Sequence, residues 1–88
     1  MVPSPVVELN RGVAHGMAFG PAAGLALVDA LTSEPSLQGY HLLPSVRGDL
    51  LAKLDRKSEA KVEFERAAAL TNNLRERELL LARAQACT

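Results

Sequence analysis

An all-α array of antiparallel helix hairpins is the fold class this sequence predicts, and three observations predict it. The apolar mass is Leu and Ala, with only three aromatic residues (Phe19, Tyr40 and Phe64), a composition that favours helix over sheet. Apolar residues recur at helical spacing in segment after segment. Short breaks rich in Gly, Pro and Asn divide those segments, and links so short make consecutive helices antiparallel neighbours. Start and stop signals place five helices at about 5–19, 21–32, 41–55, 58–71 and 73–86. The 88 residues make one domain with a thin core, because a chain this small buries only about 60–65% of its unfolded surface.

In the first helix Ser4 is placed to cap and Pro5 to take the first helical position, where a missing N–H does no harm. Val6, Leu9, Val13 and Met17 form its apolar stripe. Gly20-Pro21 closes that helix and opens the next, which is apolar almost all round from Ala22 to Leu31 and reads as sandwiched between others. Gly12, Gly16 and Gly24 lie inside these two helices. Each costs roughly 1 kcal/mol against alanine, and the expected return is close approach of the two backbones.

Residues from Ser33 to Gly39 read as the one extended loop. Beyond it Leu43, Val46, Leu50, Leu51 and Leu54 give the third helix one buried face. After a turn at Asp55-Arg56-Lys57, Ala60, Phe64, Ala67, Ala68 and Thr71 do the same for the fourth. Asn73 with Glu76 has the form of a capping box at the start of the fifth, with Leu74, Leu80, Leu81 and Ala84 expected inward. Its charged residues, Arg75 to Glu78 and Arg83, are expected to face water.

The charge balance excludes some functions. Ten basic and ten acidic residues cancel. Residues 1–40 hold three acids and one base, residues 41–88 seven acids and nine bases. Neither half has the basic excess that a phosphate backbone requires, so direct nucleic-acid binding is not expected. The single cysteine, Cys87, reads as a bystander thiol, and no Cys/His cluster has the spacing of a zinc site. With no leader-like start and no apolar run of about 18 residues, a cytoplasmic protein without membrane attachment is expected.

A repeat underlies the hairpins. Ala60, Phe64 and Ala67 keep the A-x3-F-x2-A spacing of a tetratricopeptide second helix, and Gly48 stands where the preceding helix carries a small residue. Ala23, Leu27, Ala30 and Pro35 hold the matching positions in the first hairpin, with Arg47 and Leu51 departing from the usual leucine and aromatic residue. The expected architecture is therefore tetratricopeptide-like: two hairpins and a capping helix with a polar outer face.

Read in order, several segments carry a closer resemblance. They are Asn10 to Ala14, Gly20 to Leu25, Gly39 to Leu43, Arg47 to Leu51 with Leu54 and Arg56, Glu59-Ala60, Phe64 to Ala67, and Asn73 with Glu76-Arg77. Together they resemble the C-terminal extension of one subgroup of bacterial extracytoplasmic-function RNA polymerase sigma factors. Promoter-binding and polymerase-binding helices precede that extension in the family, and none is found in these 88 residues. The resemblance implies a domain cut from a longer chain, a regulatory appendage that works in transcription initiation by protein contact. Its implied partners are the parent's upstream domains, core RNA polymerase or a separate regulator.

Candidate chemistry is sparse. His41, Ser45 and Asp49 imitate a Ser-His-Asp set by spacing, but one helix surface supplies neither a base in contact with the nucleophile nor an oxyanion hole. No catalytic residue, cofactor or metal is expected. His15 has no neighbouring ligand residue and reads as a packed or surface side chain. Tyr40, His41, Arg47 and Asp49 form a candidate contact patch, since Arg and Tyr are favoured interface anchors, or else Tyr40 and His41 anchor the long loop. Asn10 and Arg11 are placed on the inner groove of the stack. The rival readings are a free-standing tetratricopeptide-like adaptor that holds a peptide or partner protein in that groove, a small enzyme built around His41, and a homodimer formed through uncovered apolar surface.

Overall fold

Two layers of antiparallel helices build the molecule, described over residues 5–87 by a computed structural model. Ser4 as a helix cap, and the Val6 side chain, lie outside the described residues. Helix α1 (Pro5–Phe19) ends at Gly20, whose φ of 102° lets the chain reverse, and Pro21 opens α2 (Pro21–Asp29). Helices α3 (Leu42–Lys53) and α4 (Lys57–Leu70) form the second hairpin, and α5 (Leu74–Ala86) packs on α4. Consecutive helices are neighbours throughout, and α1 also touches α3. One layer is therefore α1, α3 and α5, and the other is α2 and α4. This is the helix-hairpin array the spacing predicts, and no strand occurs among the described residues.

The glycines draw the first hairpin together as expected. A methyl group placed on Gly24 would stand 2.7 Å from the Gly16 Cα and 3.0 Å from the Gly12 carbonyl oxygen. The two backbones thus touch with no side chain between them. The second hairpin uses one large and one small residue instead. Phe64, almost fully buried, lies against Gly48, where an added Cβ would come within 2.9 Å of the ring. Leu9, Leu25, Val28, Leu37, Leu43, Leu50 and Leu51 join the alanines of α4, and Leu80 and Ala84 of α5, in one continuous core.

Local chemistry explains the connections. The α3–α4 turn is a Schellman cap: Arg56 N–H donates to the Leu51 carbonyl at 2.9 Å, and Asp55 N–H to that of Ala52 at 3.0 Å. Asp55 occupies the left-handed position at φ 61°. Asn73 accepts from the Glu76 N–H at 2.9 Å, the capping bond its spacing predicts.

Several expectations need correction. Helix α2 stops at Asp29, where the Thr32 hydroxyl donates to the Asp29 carbonyl, and residues 30–33 are turn. The following segment is less extended than expected: Pro35–Leu37 forms a 3-10 turn, Leu37 plugs the core, and Gln38 donates to the Thr32 carbonyl at 2.9 Å. Helix α3 begins after His41 and ends before Asp55. Helix α2 is not sandwiched. It buries Gly24, Leu25 and Val28 and exposes Ala22, Ala26 and Leu27, because a two-layer array offers it partners on one side only. On α1 the stripe turns outward after Leu9, leaving Val13 and Met17 uncovered. On α5 Leu80 and Ala84, four apart, fill the contact with α4, while Leu74 and Leu81 are exposed. Two apolar sets a quarter-turn apart competed for one interface, and the set nearer α4 took it.

Candidate protein-contact site

Arg47 and Asp49 leave α3 on opposite sides, two residues being about 200° of helical rotation. The four-residue patch expected from the sequence is therefore split. Arg47 turns into the structure. Its Nε donates to Asp29 Oδ1 at 2.7 Å and its Nη1 lies 3.2 Å from Glu63 Oε1. Glu63 is a buried carboxylate and receives a second arginine, Arg66, at 3.1 Å. Three helices are tied by this cluster: α2 through Asp29, α3 through Arg47, α4 through Glu63. The hydrogen bond to Asp29 holds the guanidinium even more firmly protonated than usual, with burial opposing and the Asp29 and Glu63 charges reinforcing. Arginine occupies this usual leucine position because its stem fills the space while its head satisfies a buried acid.

Asp49 turns towards the α1–α3–α5 face. It pairs with Lys53 at 3.0 Å on its own helix and with Arg83 of α5 at 2.6 Å. Arg83 also lies over the Phe64 ring, 4.4 Å from its centroid. His41, at the α3 start, reaches Glu76 in the first turn of α5 at 2.6 Å, with the Tyr40 ring edge-on to the imidazole. Both residues thus fasten α5 across α3. His41 is paired with Glu76 and Asp49 with Lys53 and Arg83, and among the described residues no hydrogen bond joins either side chain to the Ser45 hydroxyl. Arg77, expected in water, donates to the Ala68 and Thr71 carbonyls and caps the end of α4. Asn10 and Arg11 are exposed on α1: Asn10 lies one turn before Val13, while Arg11 pairs with Glu8 at 3.3 Å. The His15 ring lies against that of Phe19, tilted by 45° with the centroids 4.7 Å apart.

Two hollows flank the outward ridge of α3. One, about 190 Å³, lies between α1 and α3 and is lined chiefly by Val13, Met17, Val46 and Leu50. The other, about 500 Å³ and more open, lies between α3 and α5 beside Ser45, Leu79 and Ala82. Met17 is 82% exposed and Leu79 59% exposed. The sequence reading missed both as surface residues. Leu79 is the first of three consecutive leucines between Glu78 and Arg83, and only its omission from the inward set on α5 set it apart. Among the described residues no group of three Cys, His, Asp or Glu side chains is arranged to hold a metal, and no helix is long and apolar enough to cross a membrane.

No protein-family model matches the chain, and no solved structure matches it. A stretch of 74 residues, 84% of the chain, is 47% identical to an uncharacterized protein of Rhizobium meliloti (strain 1021). The same stretch is 17% of that protein's length, so the chain is similar to one small part of a much longer relative.

Proposed function

We propose that this chain is the C-terminal regulatory domain of a bacterial RNA polymerase sigma factor of the extracytoplasmic-function type, acting in the cytoplasm during transcription initiation. It is non-catalytic, binds no cofactor and makes no direct contact with DNA. Its work is contact with the parent's upstream domains, core polymerase or a regulator. The observation that carries this reading is the ordered run of segments from Asn10 to Arg77 that resembles the extension of that family. A match confined to 17% of a longer relative is what an appended domain gives. Zero net charge supports protein contact over nucleic acid.

The test is promoter-directed transcription by core polymerase with the full parent chain, with and without these 88 residues. Loss or altered control of at least about tenfold in the truncated form is expected. A parent chain that does not bind core polymerase sinks the proposal. The open face of α1, α3 and α5 equally favours a second reading, a free-standing adaptor, which an upstream reading frame with no sigma domains would support.

A further inference from the structure

We infer that α5 is an ionically latched arm, which salt releases and which opens as a unit while α1 to α4 stay folded. The inference goes beyond the protein-contact reading and does not depend on it. Its first support is how little apolar surface holds the helix. Of the four leucines of α5 only Leu80 is buried, and Leu74, Leu79 and Leu81 are exposed. Ala84 is its other buried residue. Helix α4 is the packing partner, and α5 reaches α3 through charged side chains: Glu76 to His41 and Arg83 to Asp49, each at 2.6 Å.

The second support is the order of the polar ties along α5. Its near end is pinned to α4. Asn73 caps it, and Arg77 donates to the Ala68 and Thr71 carbonyls at 3.1 and 3.0 Å. Residues 71–73, which are not helical, form the pivot. Further along, Arg83 bolts the far end, with Nη2 on Asp49 Oδ1 and the guanidinium over the Phe64 ring. The four side chains of the two pairs are each between 26% and 46% exposed, so ions reach them and salt screens them. Lifting Arg83 uncovers Phe64, which otherwise lies buried in its seam with Gly48.

The other end of the array is held differently. Helix α1 meets α2 backbone to backbone at Gly12, Gly16 and Gly24 and buries Leu9, and its described ion pair, Glu8 with Arg11, stays within the helix. Contacts of that kind do not weaken as charge is screened. Salt therefore distinguishes α5 from α1.

Native-state hydrogen exchange of the ¹⁵N-labelled chain tests the latch, followed by NMR at one fixed pH in low salt and in about 1 M NaCl, where the screening length is about 3 Å. Protection is taken against the unfolded-chain rate in the same salt. Amides of residues 78–86 are expected to be protected at least about tenfold less than those of α3 and α4, evenly along the helix. High salt is expected to lower that protection a further two- to fivefold or about that, and to leave α1 unchanged. Glu76→Gln and Arg83→Gln, both at partly exposed side chains, are each expected to lower α5 protection about two- to fivefold without moving α3 and α4. Lys53→Gln, which breaks the other pair of Asp49 within α3, is expected to leave α5 unchanged. Equal protection of α5 and α4, salt sensitivity shared by α1 and α5, or a fall of all helices together in either α5 variant overturns the latch. Protection that merely declines towards Ala86 and ignores both variants is end fraying, and overturns it as well.

Discussion

Replacing Gly24 by alanine tests whether the first hairpin is held by backbone contact. Helix propensity alone favours the change by about 1 kcal/mol. Opposing it, the new methyl would meet the Gly16 Cα at 2.7 Å, the Gly16 N at 3.1 Å and the Gly12 carbonyl oxygen at 3.0 Å. These are backbone atoms of α1 and have no rotamer to change, so relief requires the helices to separate by several tenths of an ångström. Separation loosens Val28 and Leu25 against Leu9, all buried. Overpacking of this kind costs about 1–3 kcal/mol and, where backbone must move, lies at or above the upper end. The expected net loss is about 2 kcal/mol or more, a fall of roughly 8–16 °C in Tm for a domain of this size. Thermal unfolding followed by circular dichroism measures it, with Gly39→Ala as control, since a Cβ there meets nothing within 4 Å. A Gly24→Ala protein as stable as the parent, or stabilised by the propensity gain, refutes the close-packed hairpin.

Arg47→Ala leaves the buried Glu63 with only Arg66, and a loss of about 2–3 kcal/mol in urea unfolding is expected, below the usual cost of breaking a buried pair because one arginine remains. Arg11→Ala, which removes an exposed guanidinium from a buried Glu8 oxygen, lowers the same curve by about 1 kcal/mol or less. Asp55→Gly relieves the left-handed backbone at φ 61° and raises the melting temperature by a few degrees, equivalent to about 0.5–1 kcal/mol. The Glu59 carboxyl, bonded by Arg56 at 2.6 and 2.8 Å, titrates below its ordinary 4.5. Its folded pKa is depressed, so its contribution is present above the unfolded value and is lost as pH falls through the folded one. An NMR titration in which Arg56→Ala does not move the Glu59 midpoint upward contradicts that bond.

The fold was legible wherever one residue type has one physical use. Gly20-Pro21, Asn73 with Glu76, and the Ala60–Phe64–Ala67 spacing each admit a single local geometry, and all appear in place. Gly12, Gly16 and Gly24 were legible as close approach because an interior helical glycine needs a compensating contact. Less could be read where the outcome depends on which neighbour is present. The apolar surround of α2 implied helices on both sides, but a five-helix array has none to cover Ala22, Ala26 and Ala30. Leu74 and Leu81 on α5 matched the inward pattern as well as Leu80 and Ala84 did, and only the position of α4 separates them. Ion pairs were the least legible. Nothing local in the sequence joins Arg47 to Asp29 and Glu63, or Asp49 to Arg83, because those partners meet only after the helices have packed.

The split of the expected contact patch bears directly on function. Arg47 is engaged by two acids from two other helices, so offering it to a partner would leave Glu63 buried with one arginine fewer. A residue in that position specifies how the hairpins pack. His41 and Asp49 likewise fasten α5, through Glu76 and Arg83. Arg47, His41 and Asp49, expected as a contact patch, thus hold helices together, while the large apolar side chains left exposed include Val13, Met17 and Leu79. A charge-reversing change at Asp49 therefore acts on the architecture, releasing Arg83 from α3 and setting a new cation beside Arg83 and Lys53. Met17 and Leu79, at 82% and 59% exposure, are the positions where a substitution tests surface contact at the least cost to packing.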